Sequence, residues 1–453
     1  MTFSPLDSAL LGPLFTSAEM AAVFSDAAKI SAMQACEAAL ARAQARFGLV
    51  PHALAGAIAA VPAQAFDLSG LGQATALAGV PVIPFLKAVQ AHLPAELEPA
   101  LHKGATTQDI VDTALCLQMR AAFALVRADL RAIIAALTRL SQKHRTTPCV
   151  GRTYGQHAAP LSFGYKVAVW CAGIAETADQ LNALERRVLA GSLFGPVGTL
   201  KAMGDQGPQV MQAFADELGL GAASIAWHSL RARMVETGCW LATLTGALGK
   251  MATDIVALAA TEVGEVSEPH LAGRGGSSAM PHKRNPVGCT LILAACSVAK
   301  GHVITLLDGM LAAHERPAGA WHAEWHAIPQ LFGLAAGSLR EARLLAAGLV
   351  VDEAQMLANI GITRGLLFAD AAATRLATRM GRDAAHHCIE QAASRVRDSG
   401  HSLRDILLAD PDIQRLNLGE HLSGAFDLAP AIQAAAVWAD RANLEAIRIL
   451  QAL

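Results

Sequence analysis

Residues 273–286 read Gly-Arg-Gly-Gly-Ser-Ser-Ala-Met-Pro-His-Lys-Arg-Asn-Pro, so glycines, serines and cations share one short stretch. Gly273, Gly275 and Gly276 permit positive φ and close approach of backbone to a ligand. Successive N–H groups in such a turn form a nest for an anion. Ser277 and Ser278 follow, with Lys283 and Arg284 adding charge. Pro281 and Pro286 disfavour helix, which places the serines on a loop. The apolar run from Val287 predicts a helix whose N-terminus again favours an anion. A serine held there can act as acid or base, because its oxyanion is stabilised.

Three other stretches carry reactive groups. In 102–113, Thr106, Thr107 and Gln108 stand in a turn opened by Gly104 and can hydrogen-bond a carboxylate, while Asp109 can cap the helix that follows. On spacing alone, a plain helix cap fits equally well. In 151–160, Arg152, Tyr154 and His157 interrupt the helical pattern. His314, Glu315 and Arg316 precede Trp-His-Ala-Glu-Trp-His at 321–326, which also suits an aromatic helix–helix joint.

The elements that must position these groups read as helices. Hydrophobic residues make up 53% of 453 residues and aromatics only 5%, without the β-branched and aromatic richness of sheet proteins. An all-α fold is expected. Residues 1–108 form an N-terminal segment in which Met33, Cys36, Leu40 and Ala43 share one stripe of a helix over 20–47. The central segment, 109–349, holds long helices at 109–145, 160–191 (started by Pro160), 229–263, 287–312 and 324–349. The first spans roughly 50 Å at ~1.5 Å per residue, the length of a bundle rod. Residues 350–453 form a C-terminal segment with helices at 361–380 and 385–396.

Several function classes are set aside. A net charge of −2 gives no basic footprint for nucleic acid or a membrane surface. The apolar stretch 241–265 contains Lys250, Asp254, Glu262 and Glu265, unlike a membrane span. The eight cysteines form no C-x-x-C pair and read as buried thiols of a reducing compartment. No signal-peptide pattern opens the chain, so a cytoplasmic location is expected. No histidine pair has ligand spacing, His386 and His387 being adjacent and therefore divergent on a helix, so no metal and no cofactor are expected.

The run 276–286 resembles the signature loop of the fumarase/aspartase superfamily. The stretch 102–113 resembles its first region, with Thr107 where Ser is usual, and 151–160 resembles its second. Residues 381–387 resemble its Gly-Arg-x-x-Ala-His element. The resemblance implies a homotetramer around a 20-helix core, five helices per chain, with each site built from three regions of three subunits. It implies chemistry through an aci-carboxylate, stabilised by Thr106, Thr107, Gln108, the loop N–H groups, Lys283 and Asn285. Ser278 and Met280 join the substrate-binding set from the loop.

Two departures point to one branch. The acid–base His of the eliminating lyases is Tyr154 here, and the Glu that orients it is Thr290. The block from His314 to Trp325 resembles bacterial 3-carboxymuconate cycloisomerases. These close a γ-lactone using a carboxylate of the substrate itself, in protocatechuate breakdown by the β-ketoadipate route. The implied partner is a small tricarboxylate, neutralised by Lys283, Arg284, Arg316, His157 and His314. Arg152 and Tyr154 complete the expected contacts, although Arg152 also suits a structural role. Ser277 is the first candidate for the proton donor and His157 the second. The alternatives are a fumarate-releasing lyase such as adenylosuccinate lyase, or a non-catalytic relative of crystallin type. Ser277→Ala is expected to lower turnover strongly while leaving assembly intact; near-normal turnover would remove Ser277 from the mechanism.

Overall fold

The computed structural model of the chain describes residues 3–276, 280 and 283–453. The expected helical architecture is present, as a bundle of long rods flanked by shorter helices. Helix α1, Asp26–Arg46, starts where the Ser25 side chain accepts the Ala28 N–H, and Met33, Cys36, Leu40 and Ala43 are all buried. Gly48 closes it at φ 69°.

The rod α2, Thr107–Lys143, contains 37 residues. At ~1.5 Å per residue it is about 55 Å long. It sets two ends for the bundle. At the near end, Gln108 and Asp112 meet His228 and Arg231, and Asp112 meets Trp321. At the far end, Ser141 donates to the carbonyl of Gly164. Helices α3 (Phe163–Asp179) and α4 (Leu181–Val188) return from the far end. Helix α5, Ala232–Leu258, runs parallel to α2, since it starts beside Arg231 and leads to Glu265, which pairs with Arg152 at the far end. Helix α6, Val287–Asp308, comes back, and α7, Ala320–Gly348, goes out again to Glu341, which meets Arg274.

The helix expected from Pro160 begins three residues later, at Phe163, because Pro160 itself lies in a strand. Pro148–Thr153 (β1) and Gln156–Ser162 (β2) pair as an antiparallel hairpin, with Val150 opposite Pro160 and Arg152 opposite His157. Tyr154 and Gly155 between them have φ 51° and 76°, the left-handed pair that a two-residue hairpin turn demands. Helix α3 begins after Ser162, whose side chain accepts the Tyr165 N–H at 3.2 Å. A second pair, Val266–Ser267 with Val350–Val351, ties the start of the signature-loop connection to the end of α7.

The C-terminal segment divides its packing. Leu376, Ile389, Val396, Leu403 and Leu407 form a small separate core between Ala369–Met380 and the helices that follow. Helix α8, Ala429–Ala452, lies instead along α2 and α3: Asn443 donates to Ser141 at 2.9 Å and Arg145 pairs with Asp440 at 2.7 Å. Helices α5 and α6 are both long and apolar enough to cross a membrane by length and composition. Half of the most apolar window of α5 is buried in the bundle, whereas α6 is buried along one side only and leaves Val298, Ile304 and Leu307 exposed.

Two packing details carry predictions. Gly164 lies against the end of α2, where an added Cβ would come within 2.8 Å of His144 O and of Arg145 Cα. Both obstacles are backbone, so Gly164→Ala is expected to destabilise the chain by about 1–3 kcal/mol, read from urea unfolding. His102, ahead of α2, meets the buried Glu37 of α1 at 2.6 Å. Burial works to lower the His102 pKa, but the charge and hydrogen bond of Glu37 override it and hold it above its ordinary value. A raised histidine stabilises the fold fully below its unfolded value of about 6.5 and loses that contribution as pH rises through the folded value. Glu37→Gln should therefore lower Tm most between about pH 5 and 6.5, with the gap from wild type narrowing at higher pH.

Candidate active site

At the near end, Thr106 caps α2 and Asp109 gathers the surrounding backbone. Asp109 accepts from the N–H groups of Thr106 (3.0 Å), Phe194 (3.0 Å) and Gly195 (2.9 Å) and from His228 Nε2 (2.7 Å). This fully buried carboxylate thus pins the connector 194–198 beside the first turn of α2. Gln108 is buried too, and both of its amide N–H groups are committed inward, to Asp112 Oδ2 at 3.2 Å and the His228 carbonyl at 2.9 Å. Its oxygen accepts from Arg316 Nε at 2.9 Å. The expectation that Gln108 donates to a substrate carboxylate is corrected accordingly: its free edge is an acceptor, and Arg316 fills it.

Beneath Gln108 lies a triad that sequence reasoning missed. Arg231, buried, donates to Asp112 Oδ2 at 2.7 Å and Oδ1 at 3.1 Å, and to Glu324 Oε1 at 2.8 Å as well as to Glu324 Oε2. Trp321 Nε1 adds 2.9 Å to Asp112 Oδ1. Burial works to lower the Arg231 pKa, but the two carboxylates hold the guanidinium above its usual range. Burial raises the Glu324 carboxyl, against the pull of Arg231. The signals were an Asp four residues after Gln108 and an Arg opening an apolar helix.

The far end holds the other expected residues. Arg152 is turned into the protein, gripping buried Glu265 at 3.0 and 2.5 Å, while Asn359 donates to the same carboxylate at 2.8 Å. That geometry gives Arg152 a structural task in place of the expected substrate contact. His157 stands opposite it, and its Nδ1 is buried without a hydrogen-bond partner among the described residues. Burial, then Arg152, lower its pKa, against Glu265, so the imidazole is neutral near pH 7. Tyr154 projects fully exposed from the hairpin turn.

Ser277 and Ser278 lie outside the described residues. Around them, the Asn285 N–H donates to Gly275 O at 2.9 Å and Gly276 bridges to Arg284. Met280, Lys283 and Asn285 are exposed. A cavity of about 680 Å³ is lined by Glu268, His270, Arg274, Lys283, Arg284 and Asn285, among others. The N-terminus of α6, expected to attract a ligand anion, already holds one. Glu268 accepts from the N–H groups of Gly288 at 3.0 Å and Cys289 at 2.8 Å. Its carboxylate also lies 3.8 Å from Arg274, which pairs with Glu341.

The expected site residues therefore form two groups. Thr106, Thr107, Gln108 and Arg316 meet at the near end, with His314 two residues before Arg316 at φ 54°. Arg152, Tyr154, His157, Lys283 and Asn285 lie on the far-end hairpin and loop, about 55 Å away along α2.

Comparison with known proteins fits this geometry. A family profile described as lyase matches residues 16–301, and one for the adenylosuccinate lyase C-terminus matches 365–442. The chain is 42% identical over 440 residues to 3-carboxy-cis,cis-muconate cycloisomerase of Pseudomonas aeruginosa, covering 96% of each. It is 41% identical over 450 residues to nitrosuccinate lyase of Streptomyces davaonensis, covering 96% of this chain and 94% of the other. The crystal structure of 3-carboxy-cis,cis-muconate lactonizing enzyme from Pseudomonas putida superposes with a TM-score of 0.92 at 39% identity, covering 98% of this chain and 100% of that one. Two far-apart clusters of site residues on a bundle of this shape, with matches across nearly the full length, place the chain in the fumarase/aspartase superfamily of lyases.

Proposed function

We propose that the chain interconverts 3-carboxy-cis,cis-muconate and 4-carboxymuconolactone, a step of aromatic breakdown through protocatechuate. The observation that carries this reading is a paired change inside an otherwise retained site. Tyr154 and Thr290 stand where the eliminating lyases keep their His and Glu, while Thr106, Gln108, Lys283 and Asn285 remain. Thr290 is exposed and its hydroxyl donates to Pro286 O at 2.8 Å within α6, an arrangement that orients no imidazole. The likeness to cycloisomerases along 96% of the chain supports the same branch.

The reaction is internal. One carboxylate oxygen of the substrate bonds to the distal carbon of a neighbouring double bond. The π pair moves towards the carbon beside another carboxylate, and that carbon takes a proton. The substrate is its own nucleophile, so the protein folds the diene, neutralises three carboxylates and delivers the proton. Lys283, Arg284 and Arg316 supply cations without a metal or cofactor. His157 is neutral near pH 7, which leaves Ser277 ahead as donor. Because the near-end and far-end groups lie about 55 Å apart in one chain, the site is shared between copies. The exposed apolar residues of α6, Val298, Ile304 and Leu307, support this as a surface that other copies cover. A tetramer with sites built from three subunits is the proposed assembly, in the cytoplasm.

A second reading, elimination from a succinate derivative, is favoured by the 41% identity to nitrosuccinate lyase. The two separate in one assay: ultraviolet absorbance of the conjugated diene with 3-carboxy-cis,cis-muconate, and fumarate release from adenylosuccinate in parallel. Rapid loss of the diene without fumarate is expected. An unchanged diene with fumarate appearing would overturn the cycloisomerase reading.

A further inference from the structure

The near-end network has a direction. Arg231 presents five N–H donors, and each has an acceptor: Nε on Glu324, Nη1 on Asp112 and the Trp227 carbonyl, Nη2 on Asp112 and Glu324. Asp112 is filled in turn, with Arg231 and Trp321 on Oδ1 and Arg231 and Gln108 on Oδ2. The Gln108 amide is thereby fixed in one sense. Its nitrogen faces a carboxylate and a carbonyl, its oxygen faces a guanidinium, and the flipped amide would oppose like with like at every contact.

Arg316 is exposed, whereas Gln108, Asp112, Arg231 and Glu324 are buried. Its Nε donates to Gln108, and Nη2 lies 3.3 Å from both Thr106 Oγ1 and the Pro196 carbonyl. Among the described residues Nη1 has no partner. A long, rotamer-rich side chain is thus held on one edge with its other N–H groups presented outward beside the cap of α2. The triad beneath combines two carboxyl groups with one guanidinium, and this acidic excess favours a cation above it.

We propose that the buried Asp112–Arg231–Glu324 triad is a positioning device that acts through Gln108 to aim Arg316, whose Nη1 edge docks one carboxylate of the tricarboxylate substrate. The inference rests on the functional reading above and names the group that distinguishes a tricarboxylate from smaller acids. Asp112, Arg231 and Glu324 touch no substrate; they are positioning residues. Arg316 contributes ground-state binding, so its loss appears in KM and leaves kcat largely in place.

The test is a mutant cycle on the full-length protein with 3-carboxy-cis,cis-muconate. Arg316→Ala is expected to raise KM about tenfold or more with kcat within about threefold. Gln108→Met keeps the volume and the triad's ion pairs but cuts the link, and should reproduce most of that rise. Glu324→Gln should raise KM as well. In the Arg316→Ala background neither change should add more than about twofold, because both act through the same guanidinium. Effects on KM that multiply, or a loss confined to kcat, would overturn the positioning role. If Glu324→Gln does not fold, Gln108→Met decides alone. A wild-type protein that leaves the muconate unchanged defeats the functional reading separately. The cycle is then read from the Kd of propane-1,2,3-tricarboxylate by calorimetry, where absence of wild-type binding, or additive effects, overturns the inference.

Discussion

A guanidinium enclosed by two carboxyl groups sets the near end of the bundle. Removing three charged groups from water costs several kcal/mol per ion, and the arrangement is tolerable only because every Arg231 N–H finds an acceptor. Asp112 belongs to the first turns of α2, Arg231 immediately precedes α5, and Glu324 belongs to the second turn of α7. Three parallel rods are therefore held in one register by a contact with no tolerance for slippage. An apolar trio of the same volume could pack as well, but it would give Gln108 no fixed orientation. Asp109, three residues earlier, does the same for the connector 194–198 by collecting its N–H groups.

The second constraint is length. Helix α2 carries Thr107 at one end and leads into the hairpin at the other. No rotamer or loop motion bridges about 55 Å, so residues whose types suggest one site cannot share one inside a single chain. The proposed chemistry thus requires the near end of one copy to meet the far end of another. An apolar helix with much of its surface exposed, α6, runs between those ends. A lone chain has no reason to keep so apolar a helix in water.

The rods were legible because the 3.6-residue period of their apolar positions survives burial on several sides; α1, α6 and α7 lie close to where the pattern predicts them. The hairpin was not. Pro160 reads as the start of a helix, but local preference gave way to pairing across the turn made by Tyr154 and Gly155, and Pro160 suits an outer strand with no neighbour on its far side. Residue types in the signature stretches were legible while their partners were not. That Gln108 faces inward depends on Asp112 and on the His228 carbonyl 120 positions away. That Arg152 is structural depends on Glu265, and that the α6 terminus is occupied depends on Glu268. Apart from Asp112, four residues along the same helix, each partner is an acidic residue or carbonyl in another element, brought in by the tertiary fold.

His157 bears on the direction of the chemistry. Its ring is flanked by Arg152, and burial together with that charge favours the neutral imidazole, with Glu265 opposing from behind Arg152. A neutral imidazole accepts protons. By microscopic reversibility, the group that gives a proton to carbon on lactone closure takes it back on opening. His157 in this state is suited to the opening direction, and for closure it must first be protonated against its surroundings. Tyr154 stands clear of its own chain on the hairpin turn, so the role proposed for it is to donate a hydrogen bond to a neighbouring copy's ligand. Ser277 is proposed instead on residue types: the glycine-rich stretch before it and Lys283 after it suit a serine oxyanion. That chemistry, and not proximity in sequence to the missing histidine, is the physical ground for proposing Ser277.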